Sequence, residues 1–377
     1  MKKCVVISDS FKASLGSIEI CDIAEKSIKE FYPDCEVITL PVADGGEGTV
    51  ECFLQAMEGG EKVAVKVHGP YMEEMEVCYA RMGDTAIIEM ASCAGLPLVG
   101  RRRNPSLTTT YGVGEQIRHA VENGAKNIIL GLGGSATNDC GCGCAAALGV
   151  EFRDNEGREF VPTGGNLSKV VSINTEKADE LLKNVTLTAM CDIDNPMFGE
   201  TGAAYIFGPQ KGANPAMVKI LDNELRALDA TIQRTLGKNV ADVPGAGAAG
   251  AMGAGVMAFL GAELKPGIET VLEIVEFDKK IEGADIVFTG EGKIDSQSLR
   301  GKVVYGVATR AKAKNIPVVA IVGDVADDAY GVYDIGVTAI FSINRLAIPF
   351  EKAKARSRRD YENTLKDIFR FMKLTTF

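Results

Sequence analysis

Histidine is scarce in this chain: two among 377 residues, His68 and His119, and neither lies in a polar cluster. A Ser-His-Asp hydrolase is therefore disfavoured. No Cys-x-x-Cys pair exists, and no histidine completes a zinc pattern around the alternating Cys140, Cys142 and Cys144. No uncharged run approaches the roughly 20 residues needed to span a bilayer. The nearest, 245–262, is too rich in glycine. Met1-Lys2-Lys3 leads at once into a short strand-like run, so no export signal is expected. The ten cysteines are then expected as free thiols in a reducing cytoplasm. The net charge of −10 argues against nucleic acid and against an anionic membrane as partner. G-x-x-x-x-G-K-[ST] is missing, as are the H-R-D and D-F-G sets, which excludes a P-loop enzyme and a protein kinase. The first turn, Asp9-Ser10-Phe11-Lys12, has no glycine before Gly16, so a dinucleotide fingerprint is lacking too.

What is present is a series of polar, glycine-rich turns, each placed after an apolar run. The central one is 131–139, Gly-Leu-Gly-Gly-Ser-Ala-Thr-Asn-Asp. Asn127-Ile128-Ile129-Leu130 before it reads as a buried parallel strand. The small residues 140–148 after it read as a helix closed by Gly149. A strand–turn–helix of this kind gathers backbone N–H groups at one point and attracts an anion. Gly141 and Gly143 each weaken a helix interior by about 1 kcal/mol, which a close approach to a sheet or a ligand would explain.

Along the chain, strands are expected at 4–7, 36–40, 62–67, 74–79, 85–90, 127–130, 185–189, 284–288, 318–322 and 339–342. Helices are expected at 17–31, from 49 to about 57, at 107–123, 140–148 and 215–236, from an opening at 244–250 to about 261, and at 302–314 and 350–373. The βα alternation gives way to a meander after residue 62 and lapses again after 150. The chain is therefore read as a Rossmann-like parallel-sheet domain made of 1–62, 100–149 and 268–377. A second α/β domain, 63–99 plus 149–267, is inserted discontinuously, with the active site in the inter-domain cleft.

Six polar turns supply the candidate chemistry: 9–12, 44–49, 131–139, 192–195, 245–250 and 290–295. They and the 207–213 segment offer Lys12 and Lys211 as cations. They offer Asp44, Glu47, Asp139, Asp192, Glu291 and Asp295 as carboxylates. Any single Asp of this set could equally be an N-cap or an Asx-turn. Phosphoryl transfer needs the whole inventory: donors on phosphates, carboxylates for Mg²⁺, and one carboxylate as base.

Eight motifs, in order along nearly the whole chain, resemble the glycerate kinase family. They are Asp-Ser-Phe-Lys-x-Ser at 9–14, Pro-Val-Ala-Asp-Gly-Gly-Glu-Gly-Thr at 41–49, Asn-Pro-x-x-Thr-Thr-Thr-x-Gly at 104–112 and Gly-Gly-Ser-Ala-Thr-Asn-Asp at 133–139. The others are Cys-Asp-Ile-x-Asn-Pro at 191–196, Phe-Gly-Pro-Gln-Lys-Gly-Ala at 207–213, Pro-Gly-Ala-Gly-Ala-Ala-Gly at 244–250 and Thr-Gly-Glu-Gly-x-Ile-Asp at 289–295. Two positions depart from the family pattern: Ala13 and Cys140 stand where glycine is usual.

The resemblance implies an ATP- and Mg²⁺-dependent cytoplasmic kinase that phosphorylates D-glycerate, with 2-phosphoglycerate favoured over 3-phosphoglycerate. Under it, Asp192 is the first candidate base and Asp44 the second, and Lys12 contacts the transferred phosphate or the glycerate carboxylate. Asp9, Ser10, Gly45, Gly46, Glu47, Thr109, Gly133, Gly134, Ser135, Thr137, Asn138, Asn195 and Lys211 bind substrate or phosphate. Glu291 and Asp295 hold the metal. A homodimer is among the states the sequence allows. Two other classes compete with the kinase: a nicotinamide-dependent hydroxy-acid dehydrogenase and a non-catalytic anion-binding protein.

Overall fold

The computed structural model describes every residue except Lys12, Ala13, Asp44, Glu47, Glu58, Arg300 and residues 375–377, with Gln297 described by its backbone alone. The principal elements run β1 (Lys3–Ser8), α1 (Ser17–Phe31), β2 (Glu36–Thr39), α2 (Thr49–Ala56), β3 (Glu61–His68), β4 (Glu74–Met82) and β5 (Thr85–Glu89). They continue α3 (Tyr111–Glu122), β6 (Asn127–Gly131), α4 (Cys142–Ala147), β7 (Thr186–Met190), α5 (Pro215–Leu236), α6 (Ala248–Leu260) and β8 (Glu263–Lys265). The last are β9 (Ile286–Gly290), α7 (Val303–Ala313), β10 (Val318–Val322), β11 (Val337–Ser342) and α8 (Ser357–Leu374). The fold is mixed α/β, with parallel strands and flanking helices, as the sequence led us to expect. Among the described residues no helix is long and apolar enough to cross a membrane.

The chain divides into two units. The first is Met1–Asp44, Glu51–Glu58 and Pro266–Phe377. Its sheet runs β2-β1-β9-β10-β11, every pair parallel. All five residues of β9 are buried, which suits an uninterrupted apolar run with strands on both sides. Counted within the unit, the order is 2-1-3-4-5. This is a doubly wound sheet whose direction of winding reverses between β1 and β9. Helix α1 turns Ile20, Ile23, Ala24 and Ile28 inward, at helical spacing. Rings of Phe31 and Phe369 meet at 5.8 Å, tying α1 to α8.

The second unit is Gly45–Val50 and Gly59–Lys265. Its sheet runs β3-β4-β5-β6-β7-β8: the meander β3-β4-β5 is antiparallel, and β5 to β8 are parallel. The expected assignment of 100–149 to the first unit is thereby corrected. β6 pairs with β5 and β7, so 100–149 belongs with the meander. The change from hairpins to βα units marks a change of connection inside one mixed sheet, and sequential strands commonly pair.

Two local expectations also change. Gly141 lies outside α4, with left-handed φ of +68° just before it. The small-residue stretch after Pro244 is interrupted by left-handed φ at Ala249 (54°), Gly250 (71°) and Ala251 (68°) before regular helix resumes. A Cβ on Gly250 would lie 2.0 Å from the Thr137 carbonyl oxygen. The central turn thus packs backbone to backbone on this segment.

Candidate functional site

In the second unit, β6 ends at Gly131, in register with Glu89 on β5 and Met190 on β7. The glycine turn therefore leaves the carboxyl edge of a parallel sheet, where α/β folds place ligands. The turn is bound on one side to residues 90–96: Leu96 N donates to Gly134 O at 2.9 Å and Ala136 N to Ala94 O at 2.8 Å. On the other it meets the backbone of Gly45 and Gly46, and Gly133 N donates to Gly45 O at 3.1 Å. A Cβ on Gly131 would lie 2.2 Å from Gly45 O, and one on Gly133 2.6 Å from Gly46 Cα. Glycine is needed here because two main chains touch. Gly45, Gly46, Gly133 and Gly134 are thus brought together; Glu47 and Asp44 lie outside the described residues.

Lys211 reaches this turn from a short 3₁₀ segment, Pro209–Lys211. It is 2% exposed, and its Nζ donates to Ser135 Oγ and to Thr137 O, both at 2.7 Å. Burial pushes its pKa down to about 7, while the Asp139 carboxylate pulls the other way. Thr137 and Asn138 are wholly buried, yet Thr137 Oγ1, Asn138 Oδ1 and Asn138 Nδ2 find no hydrogen-bond partner among the described residues. Buried polar atoms in that state call for a water or a ligand. A buried ammonium beside unpaired amide and hydroxyl groups is an arrangement that suits an anion or a hydroxy-acid.

Of the two readings open to Asp139 in the sequence, ligand group or helix cap, the structure favours the cap. Its carboxylate accepts from Thr110 N and Thr110 Oγ1 at 2.8 Å, from Gly141 N at 3.2 Å and from Gly143 N at 3.3 Å. Burial raises its pKa and these four donors oppose the rise. The protein's own carboxylate therefore takes the N-terminus of α4, where a ligand anion was expected. Thr110 was not singled out from the sequence; a threonine run carries no signal of which member will be buried against an aspartate. Thr109 supports the same junction, its Oγ1 accepting from Tyr111 N at 3.2 Å. A Cβ on Gly143 would meet Thr109 Oγ1 at 2.1 Å, which explains that helix glycine by close approach. Cys140, where glycine is usual in the family, holds φ of 54° and buries its side chain in the core cluster.

After β7, Asp192 is exposed and Asn195 partly buried. Asn195 Nδ2 donates to Thr201 O at 2.7 Å, and its carbonyl accepts from Gly247 N at 2.9 Å.

In the first unit, the carboxyl ends of β1 and β9 lie side by side, Ser8 opposite Gly290, at the point where the winding reverses. Asp9 N donates to Gly290 O at 2.9 Å, and Ser10 N to Asp9 Oδ1 at 2.6 Å. Ser17 Oγ donates to Ser8 O and accepts from Val42 N, fastening the first polar turn to the approach of the second. Glu291, 4% exposed, faces Lys302 Nζ at 3.6 Å. Burial raises its pKa, Ser298 and Lys302 oppose the rise, and the Asp295 charge adds to it. Glu291 Oε1 has no hydrogen-bond partner among the described residues. No three carboxylate, histidine or cysteine groups gather as a metal site among those residues. Lys302 was not read from the sequence as a site residue. Lys12 and Ala13 lie outside the described residues.

Residues 4–373 match the family described as the glycerate kinase family. A Bacillus cereus protein named glycerate kinase is 44% identical over 377 residues, covering 99% of both chains. An Escherichia coli protein named glycerate 2-kinase is 47% identical over 344 residues, covering 90% of each. A crystal structure of a protein assigned as glycerate kinase 2 from Salmonella typhimurium LT2 superposes with a TM-score of 0.87 at 39% identity. It covers 99% of this chain and 98% of that one.

Proposed function

The chain belongs to the glycerate kinase family and is a phosphotransferase, and from that premise we propose that it transfers the γ-phosphoryl group of ATP to the 2-hydroxyl of D-glycerate. The products are 2-phosphoglycerate, ADP and a proton. The observation that carries the choice of hydroxyl is the 47% identity to a relative named as a 2-kinase.

The roles follow from chemistry. The accepting hydroxyl must lose its proton, and Asp192 is the proposed base, with Asp44 the second candidate. Lys12 is assigned to the transferred phosphate or the glycerate carboxylate. Gly45, Gly46, Glu47, Gly133, Gly134, Ser135, Thr137, Asn138 and Asn195 are assigned to substrate or phosphate, with Asp9, Ser10 and Thr109. Lys211, whose Nζ donates to Ser135 Oγ and Thr137 O, is assigned with them to substrate or phosphate. Mg²⁺ is usually held by one or two carboxylates together with substrate phosphates, so a three-carboxylate cage is not required. Glu291, whose Oε1 has no partner among the described residues, and Asp295 fit that need. The ion would offset charge on the β- and γ-phosphates. Ten free thiols suit a reducing cytoplasm.

The test is incubation with ATP, Mg²⁺ and D-glycerate, with products read by ³¹P NMR. A 2-phosphoglycerate resonance is expected. A 3-phosphoglycerate resonance would overturn the choice of hydroxyl, and folded protein yielding no product would overturn the reaction. Asp192→Asn should lower kcat by about 10²-fold or more. Near-normal turnover in that variant would remove Asp192 from the role of base.

A further inference from the structure

Glu89 carries none of the roles assigned above, yet its surroundings single it out. It is the last residue of β5, directly opposite Gly131, and it is 6% exposed. A buried carboxylate at the end of a strand needs donors. One of them is the backbone N–H of Val50, which donates to Glu89 Oε1 across 39 residues of sequence. Val50 is the second residue of α2, where backbone N–H groups lack partners within the helix. Glu89 thus does from another strand what an N-cap side chain does locally, and its charge suits a helix N-terminus.

Through Val50, Glu89 holds the chain that carries Gly45, Gly46 and Thr49. Thr49 Oγ1 donates back to Gly46 O at 2.7 Å, closing that turn on itself. Gly133 N donates to Gly45 O, and the Gly131 and Gly133 positions admit no side chain against it. Residues 45–50 group with the second unit although the chain on both sides of them, 1–44 and 51–58, groups with the first. The glycine contacts offer little side-chain energy to keep so short a piece against β5 and β6. Glu89 also keeps its own place, since its carbonyl accepts from Ser92 Oγ at 2.7 Å and Met90 N donates to Gly131 O at 3.1 Å.

We propose that Glu89 is a positioning residue: it clamps the 45–50 turn onto the 131–134 turn, so that the two glycine turns meet substrate as one surface. Only the kinetic part of this rests on the phosphotransferase reading; the clamp itself is a statement about Val50 and its segment.

The experiment compares Glu89→Ala and Glu89→Gln with wild type in the full chain. Hydrogen exchange by mass spectrometry reads the clamp without substrate, and steady-state kinetics with ATP and D-glycerate reads its consequence. In Glu89→Ala, peptides covering 45–52 should exchange at least about tenfold faster while peptides within β5 and β6 stay protected. In that variant kcat/KM for glycerate should fall at least about tenfold. Glu89→Gln keeps an acceptor oxygen and should stay within about threefold of wild type in both readouts. Exchange over 45–52 unchanged in Glu89→Ala overturns the clamp, and so does faster exchange spread evenly over the second unit. If Glu89→Ala does not fold, selective ¹⁵N-valine labelling of Glu89→Gln decides. The Val50 amide proton should move upfield as a charge-assisted bond becomes a neutral one, and an unmoved resonance overturns the clamp. Wild type inactive on glycerate, with the exchange differences present, would overturn the reaction and leave the clamp standing.

Discussion

Asp139 and Lys211 show how burial alters what a charged residue does. Both are read from sequence as possible ligand groups, and both lie within the protein at the same turn. Asp139 satisfies three backbone N–H groups and a hydroxyl, so its carboxylate organises the start of α4. Lys211 stands on two oxygens of the 135–137 stretch with its pKa lowered to about 7 from 10.5, burial being the cause. The sign of the resulting pH effect follows directly. Between about pH 7 and 10.5 the unfolded chain holds the lysine proton more firmly than the folded one, so raising the pH across that window favours the folded state. Chemical denaturation of wild type and Lys211→Met at pH 7, 8, 9 and 10 should show the stability difference shifting toward wild type as pH rises. A difference constant with pH would mean the amine is not held in the way the geometry indicates. The sequence shows that a lysine follows Phe-Gly-Pro-Gln; that its amine ends in the interior depends on 76 residues of separation closing to 2.7 Å.

At the scale of elements, glycine is the most informative residue. Gly143 lies in α4 against Thr109 Oγ1, and a methyl group there would also sit 2.7 Å from Tyr111 N. Gly143→Ala should therefore destabilise the protein by about 2–3 kcal/mol, despite the better helix propensity of alanine. A lower urea midpoint with an unchanged slope would show it; a midpoint equal to or above wild type would mean that α4 can move away. The strained elements lie nearby. Ala249, Ala251 and Cys140 adopt left-handed φ without being glycine, each at a cost of about 1–2 kcal/mol. These positions, three of the six non-glycine residues with positive φ among the described residues, border the turn that carries Thr137 and Asn138, and strain beside polar atoms with no partner among the described residues is what a binding site retains. Helix α1 was legible from its apolar spacing. Helix α5, expected to start at Pro215, is capped by Asn214, whose side chain accepts from Met217 N at 2.9 Å. The short helices at 91–94, 96–99 and 203–207 were not, because one turn carries too little periodicity to read.

At the scale of the whole molecule, two units hold separate apolar cores. Phe259 lies in the large cluster of the second unit, and Phe288 in a cluster of the first. Scanning calorimetry should resolve more than one transition, with Phe259→Ala and Phe288→Ala each lowering a different one by about 3–5 kcal/mol. One transition moved equally by both would show that the units unfold together. The sequence by itself determined most of the strands, the long helices, the polar turns after the strands, and the family, because these depend on local φ/ψ preference, periodicity and motif order; β8, three residues long, was too short to read. It also carried the doubly wound character of the first unit, since βα alternation with buried strands permits little else. Only the tertiary structure decided that β6 joins the meander, that Asp139 is met by Thr110, and that Gly45 meets Gly133 and Val50 meets Glu89. The physical reason is common to all three. Which edge a strand pairs with, and which donor a buried carboxylate finds, are set by contacts between segments far apart in the chain, and no local pattern of side chains encodes them.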